Sequence, residues 1–259
     1  MMKQQVRTWE RDRRYPTVTK AATTAWLTAH NAQDRYYMTA TQDALAAGEL
    51  PSDPRDAAEA VLEGSIGRAI RPMQLLDELA GLIEVVAETR PKRLVEIGTA
   101  RGGTLMLLCR FAAPDATIVS VDLPYGRNGG GYPKWKMPFY QDFALPGQTL
   151  HLLRGNSHDP DTRDRVRDAL GGPADLIFID ADHSYAGVKT DYELYTPLLR
   201  PGGIAGLHDI LPNEDDPSID VAPFWDKLEA DARLKTRRIV QDPDQGAYGI
   251  GLVEVPTQA

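Results

Sequence analysis

Between Arg93 and Leu207 the chain repeats one alternation: a short, continuous apolar run, then a segment with helical spacing. The apolar runs are Leu94–Ile97, Thr117–Val121, Thr149–Leu153, Leu176–Ile179 and Ile204–Leu207. Helices are expected over Thr104–Phe111, Asp161–Leu170, Tyr185–Leu199 and Val221–Ala232. Short strands without polar alternation are buried on both faces, the condition of a parallel sheet covered by helices. Two more strand-like runs, Thr236–Gln241 and Gly246–Val255, flank the turn-rich Asp242–Gly246 and read as an antiparallel hairpin. The expected fold is α/β: a Rossmann-like, doubly wound sheet of seven strands ending in a C-terminal hairpin.

Residues 1 to about 90 show no strand pattern. Ala21–His30, Tyr36–Ala47, Ala57–Ile70 and Met73–Thr89 read as helices, the last strongly amphipathic. The chain therefore divides into an N-terminal helical region, 1–70, expected to act as a lid or oligomer contact, and a sheet domain, 71–259. Hydrophobic content of 42% and charged content of 25% are ordinary for a soluble protein. No apolar run approaches the roughly 18 residues that span a bilayer, and Met1–Arg14 is polar, without the apolar core of a signal peptide. One cysteine, Cys109, excludes an intrachain disulfide and suits a reducing cytoplasm; on a core helix it reads as packing. A net charge of −8 counts against nucleic acid as partner, because such binding uses Lys and Arg to neutralise phosphates. A small-molecule substrate is expected, with no membrane partner, and a homo-oligomer of two or more copies.

Ligands of open parallel sheets sit at the C-terminal strand ends. Here each such end turns polar at once. The first gives Glu96-x-Gly98-Thr99-x-x-Gly102-Gly103 and the second Asp122. The third gives Gly155-Asn-Ser-His-Asp159, the fourth Asp180-Ala-Asp-His183 and the fifth His208-Asp209. Glycines let backbone approach a ligand, a helix N-terminus offers free N–H groups, and a carboxylate at the next strand end can hold both ribose hydroxyls. The glycine spacing differs from Gly-x-Gly-x-x-Gly, which with the hairpin opposes a nicotinamide oxidoreductase. Between the second and third strands, Leu123–Gln148 is long and carries Tyr125, Gly129–Gly131, Tyr132, Trp135, Phe139 and Tyr140. It reads as a lid or substrate wall, or as an insertion packed by its own side chains.

With these segments on view, the chain resembles the class I S-adenosylmethionine-dependent methyltransferases over about residues 70–255. The likeness is to small-molecule O-methyltransferases of the catechol and caffeoyl-coenzyme A type, and more closely to bacterial cephalosporin-hydroxylase-like and sugar O-methyltransferases of natural-product pathways. It is carried by Val95–Gly103, Val121-Asp122, Gly155–Ser157, Phe178–Tyr185 and Leu199–Gly203 followed by His208-Asp209. The resemblance implies S-adenosylmethionine as methyl donor, with Glu96, Gly98, Thr99 and Gly102 around its methionine part. Asp122 would hold the ribose, Asn156 and Ser157 the adenine, and His158 would close over the base. Asp182 is expected to hold the donor's ammonium, to complete a metal site, or simply to cap the following helix.

A transferred methyl needs an aligned nucleophile with a free lone pair, obtained by proton removal or by a metal. The relatives hold Mg²⁺ at the positions of Asp180 and Asp209. His208 stands where an acid or amide is usual, so either Asp180, Asp209 and a third oxygen hold the metal, with His208 beside them as a candidate ligand, or His208 is a metal-free general base, with His183 a second base. Arg68, Arg71 and Met73 are expected to face the acceptor. An N-methyltransferase and a non-catalytic donor-binding protein are the alternative functions.

Overall fold

The computed structural model describes residues 20–124 and 131–256, with side chains from residue 32 onward. Met1–Arg14, and Tyr125, Gly129 and Gly130 of the long connection, lie outside the described residues.

The described residues begin with α1, Lys20–Ala46, a single helix where the sequence suggests two. No Gly or Pro interrupts residues 30–36, so nothing breaks it. Then comes α2, Pro54–Leu62, whose N-cap Asp53 accepts hydrogen bonds from the N–H groups of Arg55 and Asp56, with Pro54 at the first turn. It stops eight residues before the expected end at Ile70 and is followed by a single 3₁₀ turn, Ile66–Arg68. The helix α3, Leu76–Thr89, begins later than its periodicity suggests; Pro72 and an extended Leu75 precede it, and Glu78 accepts from the Leu75 N–H.

The sheet is built of β1 (Arg93–Ile97), β2 (Thr117–Asp122), β3 (Thr149–Arg154), β4 (Ala174–Ile179), β5 (Leu199–His208), β6 (Lys235–Ile239) and β7 (Ile250–Glu254). Their order is β3-β2-β1-β4-β5-β7-β6. β1 pairs in parallel with β2 and β4, while β7 lies antiparallel between β5 and β6. Strand order reverses at β1, so the crevice beyond the ends of β1 and β4 is where a ligand fits this topology. The helices α4 (Gly103–Phe111), α5 (Met137–Gln141), α6 (Pro160–Leu170), α7 (Tyr185–Tyr195) and α8 (Ala222–Glu229) complete the described fold.

Two strand expectations also need correction. Pro201–Gly203, a Pro-Gly-Gly run whose composition is that of a turn ahead of the expected strand Ile204–Leu207, lies inside β5, where the register against β4 shifts between Ala174 and Leu176. The last strand starts at Ile250 rather than Gly246, because Gly246, Tyr248 and Gly249 hold left-handed backbone that cannot extend a strand. In the long connection the described residues include α5 and a buried aromatic cluster of Tyr132, Phe139, Tyr140 and Phe143. That cluster is what packing by its own side chains looks like.

Alternate strand residues feed two cores. Leu94 and Ile118 join Leu79, Leu82, Ile83, Leu105 and Cys109 on the face covered by α2, α3 and α4. Val95, Val119 and Ile177 join Val166, Val188 and Trp225 on the face covered by α6, α7 and α8. Residues 54–70 share the first core through Ala57, Val61 and Ile70, which fixes them against the start of α4.

Candidate active site at the strand ends

The turn from β1 into α4 is shaped by close backbone approach. Gly98 has φ +101°, and a Cβ there would stand 2.0 Å from the carbonyl oxygen of Asp180. Only glycine lets the ends of β1 and β4 meet. Gly102 has φ +88° and would carry its Cβ 2.7 Å from the Tyr140 ring. Beneath the turn, Ser120 Oγ donates to Glu96 Oε2 at 2.6 Å, so Thr99 Oγ1, 2.5 Å from Ser120 Oγ, is the donor in that contact. Glu96 is fully buried and its Oε1 has no hydrogen-bond partner among the described residues. Burial pushes its carboxyl up to about 8.

Asp122 accepts from the N–H groups of Ala100 at 3.1 Å and Gly131 at 3.0 Å. Burial outweighs these bonds and lifts its carboxyl to about 6. Farther along, Asn156 is exposed and accepts from the His158 N–H, while Ser157 is buried and its carbonyl receives the Tyr195 hydroxyl at 3.0 Å. His158 Nε2 lies 3.6 Å from Asp191 of α7, a fully buried carboxylate, and this contact raises the histidine. His158 is thus tied to a helix.

On the other side of the switch point, Asp180, His183, His208 and Asp209 each bring one ligand atom within 4.8 Å of the others. His208 Nδ1 lies 3.0 Å from Asp180 Oδ1 and 3.5 Å from Asp209 Oδ1. Its Nε2 faces Glu78 Oε2 at 3.8 Å. Burial would lower this imidazole, but the surrounding carboxylates raise it well above its ordinary value. His183 Nδ1 lies 2.6 Å from Asp209 Oδ2, and its side chain keeps 20% of its surface exposed. Burial opposes its protonation, yet the bond to Asp209 and the charge of Asp180 raise it. Asp180 would be raised by burial, but His208 holds it below the usual carboxylate range. Asp209 sits in left-handed backbone at φ +61° and is buried. That conformation is uncommon outside glycine, but Asp tolerates it better than most residues.

Asp182 does not join this group. It is exposed and accepts from the Ser184 N–H, while Ser184 itself caps α7 by accepting from Gly187. Of its expected roles, only the local capping one is visible.

Two residues outside the expected set complete the site. Gln74 donates to Asp180 Oδ2 at 3.0 Å and accepts from Thr104. Glu78, fully buried, accepts from the Gly249 N–H at 2.9 Å and from the Gln245 amide. Glu78 had a legible signal, an acid on the apolar stripe of Leu75, Leu79 and Leu82. Gln74 had none. Of the residues expected to face the acceptor, Arg68 and Arg71 line a cleft with Tyr37 and Arg101, and Met73 is exposed.

Residues 95–210 match the family described as a methyltransferase domain. Ribosomal RNA large subunit methyltransferase E of Haloarcula marismortui is 25% identical over 159 residues, 54% of this chain; the match spans 53% of that relative. Among solved structures, the O-methyltransferase from Bacillus cereus in complex with SAH aligns with a TM-score of 0.55 at 18% identity, covering 83% of this chain and 97% of that one. TomG from Streptomyces achromogenes, an O-methyltransferase of tomaymycin synthesis in complex with SAM, aligns with a TM-score of 0.51 at 16% identity, covering 80% and 91%. These structures share the fold. The family match runs from β1 to β5 and takes in the helices between them. Both halves of the site, from Glu96 to Asp209, fall within the matched residues. Gln74, Glu78 and the hairpin are supplied from outside them.

Proposed function

We propose that the protein transfers the methyl group of S-adenosylmethionine to a hydroxyl of a small molecule, in a natural-product or sugar-modification pathway. The observation that carries this is the pairing, across one switch point, of a donor end (Glu96, Gly98, Asp122) with an ionisable cluster (Asp180, His183, His208, Asp209). The residues fit the donor. Glu96 Oε1 is a buried acceptor without a partner, suited to the ammonium of the methionine part. Asp122 spends one lone pair of each oxygen on backbone N–H groups and keeps the others for ribose hydroxyls. The O-methyltransferase neighbours, one from tomaymycin synthesis, support the choice of oxygen and of pathway type.

His183 is the general base in this reading. Both nitrogens of His208 face carboxylates and the ring is buried, whereas Asp209 engages only Nδ1 of His183. Asp209 fixes the ring so that Nε2 takes the hydroxyl proton, and His208 with Gln74 holds Asp180 in place. The donor set of the cluster also fits a divalent ion, held by Asp180, His183, His208 and Asp209; two imidazoles beside two carboxylates suit a transition metal better than Mg²⁺. Such an ion would lower the pKa of the acceptor hydroxyl.

A second reading has one observation in its favour, the four relatives named as ribosomal RNA large subunit methyltransferase E. The net charge of −8 weighs against it. The test is calorimetric titration of the full chain with S-adenosylmethionine and NAD, then assay of labelled methyl transfer to hydroxylated small molecules and to ribosomal RNA, with and without EDTA. Binding of S-adenosylmethionine and small-molecule methylation are expected. Binding of NAD alone, or transfer to RNA alone, overturns the proposal.

A further inference from the structure

The cleft beside the glycine turn is lined by Tyr37 of α1, Arg68 of the 3₁₀ turn, Arg71 and Arg101. Three arginines line it, in a chain whose formal charge is −8. Among the described residues, no carboxylate lies within salt-bridge distance of Arg68, Arg71 or Arg101. Among the other described arginines, Arg55, Arg163, Arg167, Arg200, Arg233 and Arg238 each pair with an acid, whereas Arg35, Arg90, Arg93, Arg110, Arg154, Arg165 and Arg237 do not; what sets the cleft apart is that three arginines line one cavity. Among the described residues, Arg68 faces the Tyr37 ring, 5.8 Å from its guanidinium carbon. Like charges brought together without a counter-charge repel, so the arrangement suits an anion supplied from outside.

The cleft is close to the chemistry. Arg71 stands three residues before Gln74, whose amide touches Asp180, and three residues of chain reach at most about 11 Å. Arg101 stands three residues after Gly98, which abuts the Asp180 carbonyl. The backbone on both sides of the cleft is therefore within about 11 Å of residues that touch Asp180, a member of the Asp180–His183–His208–Asp209 cluster. The planar five-donor fork of arginine matches the two oxygens of a carboxylate or phosphate.

We propose that the cleft of Tyr37, Arg68, Arg71 and Arg101 binds an anionic group, carboxylate or phosphate, of the methyl acceptor, so that the acceptor is an acidic small molecule. This rests on the reading of the protein as a small-molecule methyltransferase. It also gives the N-terminal helices a task, since α1 supplies one wall of the acceptor site.

The test uses the full chain and an Arg68→Ser/Arg71→Ser variant, with both substitutions at exposed positions. Each is titrated calorimetrically with S-adenosylhomocysteine, and the loaded protein is then titrated with inorganic phosphate, with succinate and with a short hairpin RNA. The expected result is millimolar binding of phosphate or succinate, weakened at least tenfold in the variant, with S-adenosylhomocysteine affinity within twofold and an unchanged melting temperature. Tighter binding of phosphate than of succinate, or the reverse, names the anion. The proposal is overturned if neither anion binds or the variant binds both unchanged. It is overturned also if the variant loses S-adenosylhomocysteine affinity tenfold, which would give the cleft to the donor's carboxylate, or if only RNA binding depends on the arginines. Failure of the wild type to bind S-adenosylhomocysteine sinks the methyltransferase reading instead, while the anion titration on the unloaded chain still reads the cleft.

Discussion

Glu96 and Asp122 make their hydrogen bonds within one short stretch, to Ser120 and Ala100, partners 24 and 22 residues away. Asp180 and His208 draw on partners much more widely spread. Gln74 reaches Asp180 across 106 residues, and the Glu78 beneath His208 is bound by Gly249 across 171. The donor end is thus a local unit of two strands and a turn, and the cluster end is assembled only when α3 and the hairpin have docked. The contrast teaches that the two ends should fail differently: the first by weaker donor binding, the second by lost chemistry or lost fold.

The largest effect expected is kinetic. His183→Ala should reduce kcat by about a hundredfold to ten-thousandfold, the usual span for a lost general base, with S-adenosylhomocysteine affinity within threefold. Asp122→Ala should do the reverse, weakening S-adenosylhomocysteine by about tenfold to a hundredfold through the loss of a buried acceptor. Steady-state kinetics beside calorimetry checks both, and equal damage to binding and turnover in both variants would break the contrast. Next comes Glu78→Ala. It strands the Gly249 N–H and the Gln245 amide and removes a carboxylate from beneath His208, which should cost about 2–4 kcal/mol. A thermal melt should show a fall of roughly 5–15 °C at this chain length. A fall of under 2 °C would mean that the cluster end does not depend on the docking of α3.

The smallest effect belongs to Glu96. Burial pushes its carboxyl up to about 8, so the folded chain keeps a proton that the unfolded chain releases near its ordinary value of 4.5. Folding then binds more protons than unfolding, and this group's contribution to stability falls as pH rises from about 4.5 to 8. In the protein without donor, Glu96→Gln should flatten the decline of Tm between pH 5 and 8. An unchanged slope would show that Glu96 is ionised, with a partner for Oε1.

The donor end was legible because its signals are contiguous. An apolar run, a glycine turn and a carboxylate at the next strand end can be read without knowing what packs on what. Asp180, His208 and Asp209 could be read as strand-end residues, but not their partners. Glu78 looked like one acid in an amphipathic helix until the hairpin closed over it. At Asp182 and His183 the adjacent order misled: the exposed Asp182 serves the lead-in to α7, and the histidine one position later turns into the cluster. The shift inside β5 escaped because Pro-Gly-Gly is a turn signal unless a neighbouring strand supplies the pairing.

The left-handed backbone at Asp209 bears on how descendants of this protein should be judged. Asn, Asp and Gly enter that conformation with little strain, so position 209 has a short alphabet whatever the protein does. A descendant that had abandoned catalysis would still have a backbone reason to favour Asp, Asn or Gly there. His183 is under no such constraint, since its backbone is not left-handed. Loss of the imidazole at 183, rather than survival of the acid at 209, is therefore the mark by which a retired copy would be told from a working one.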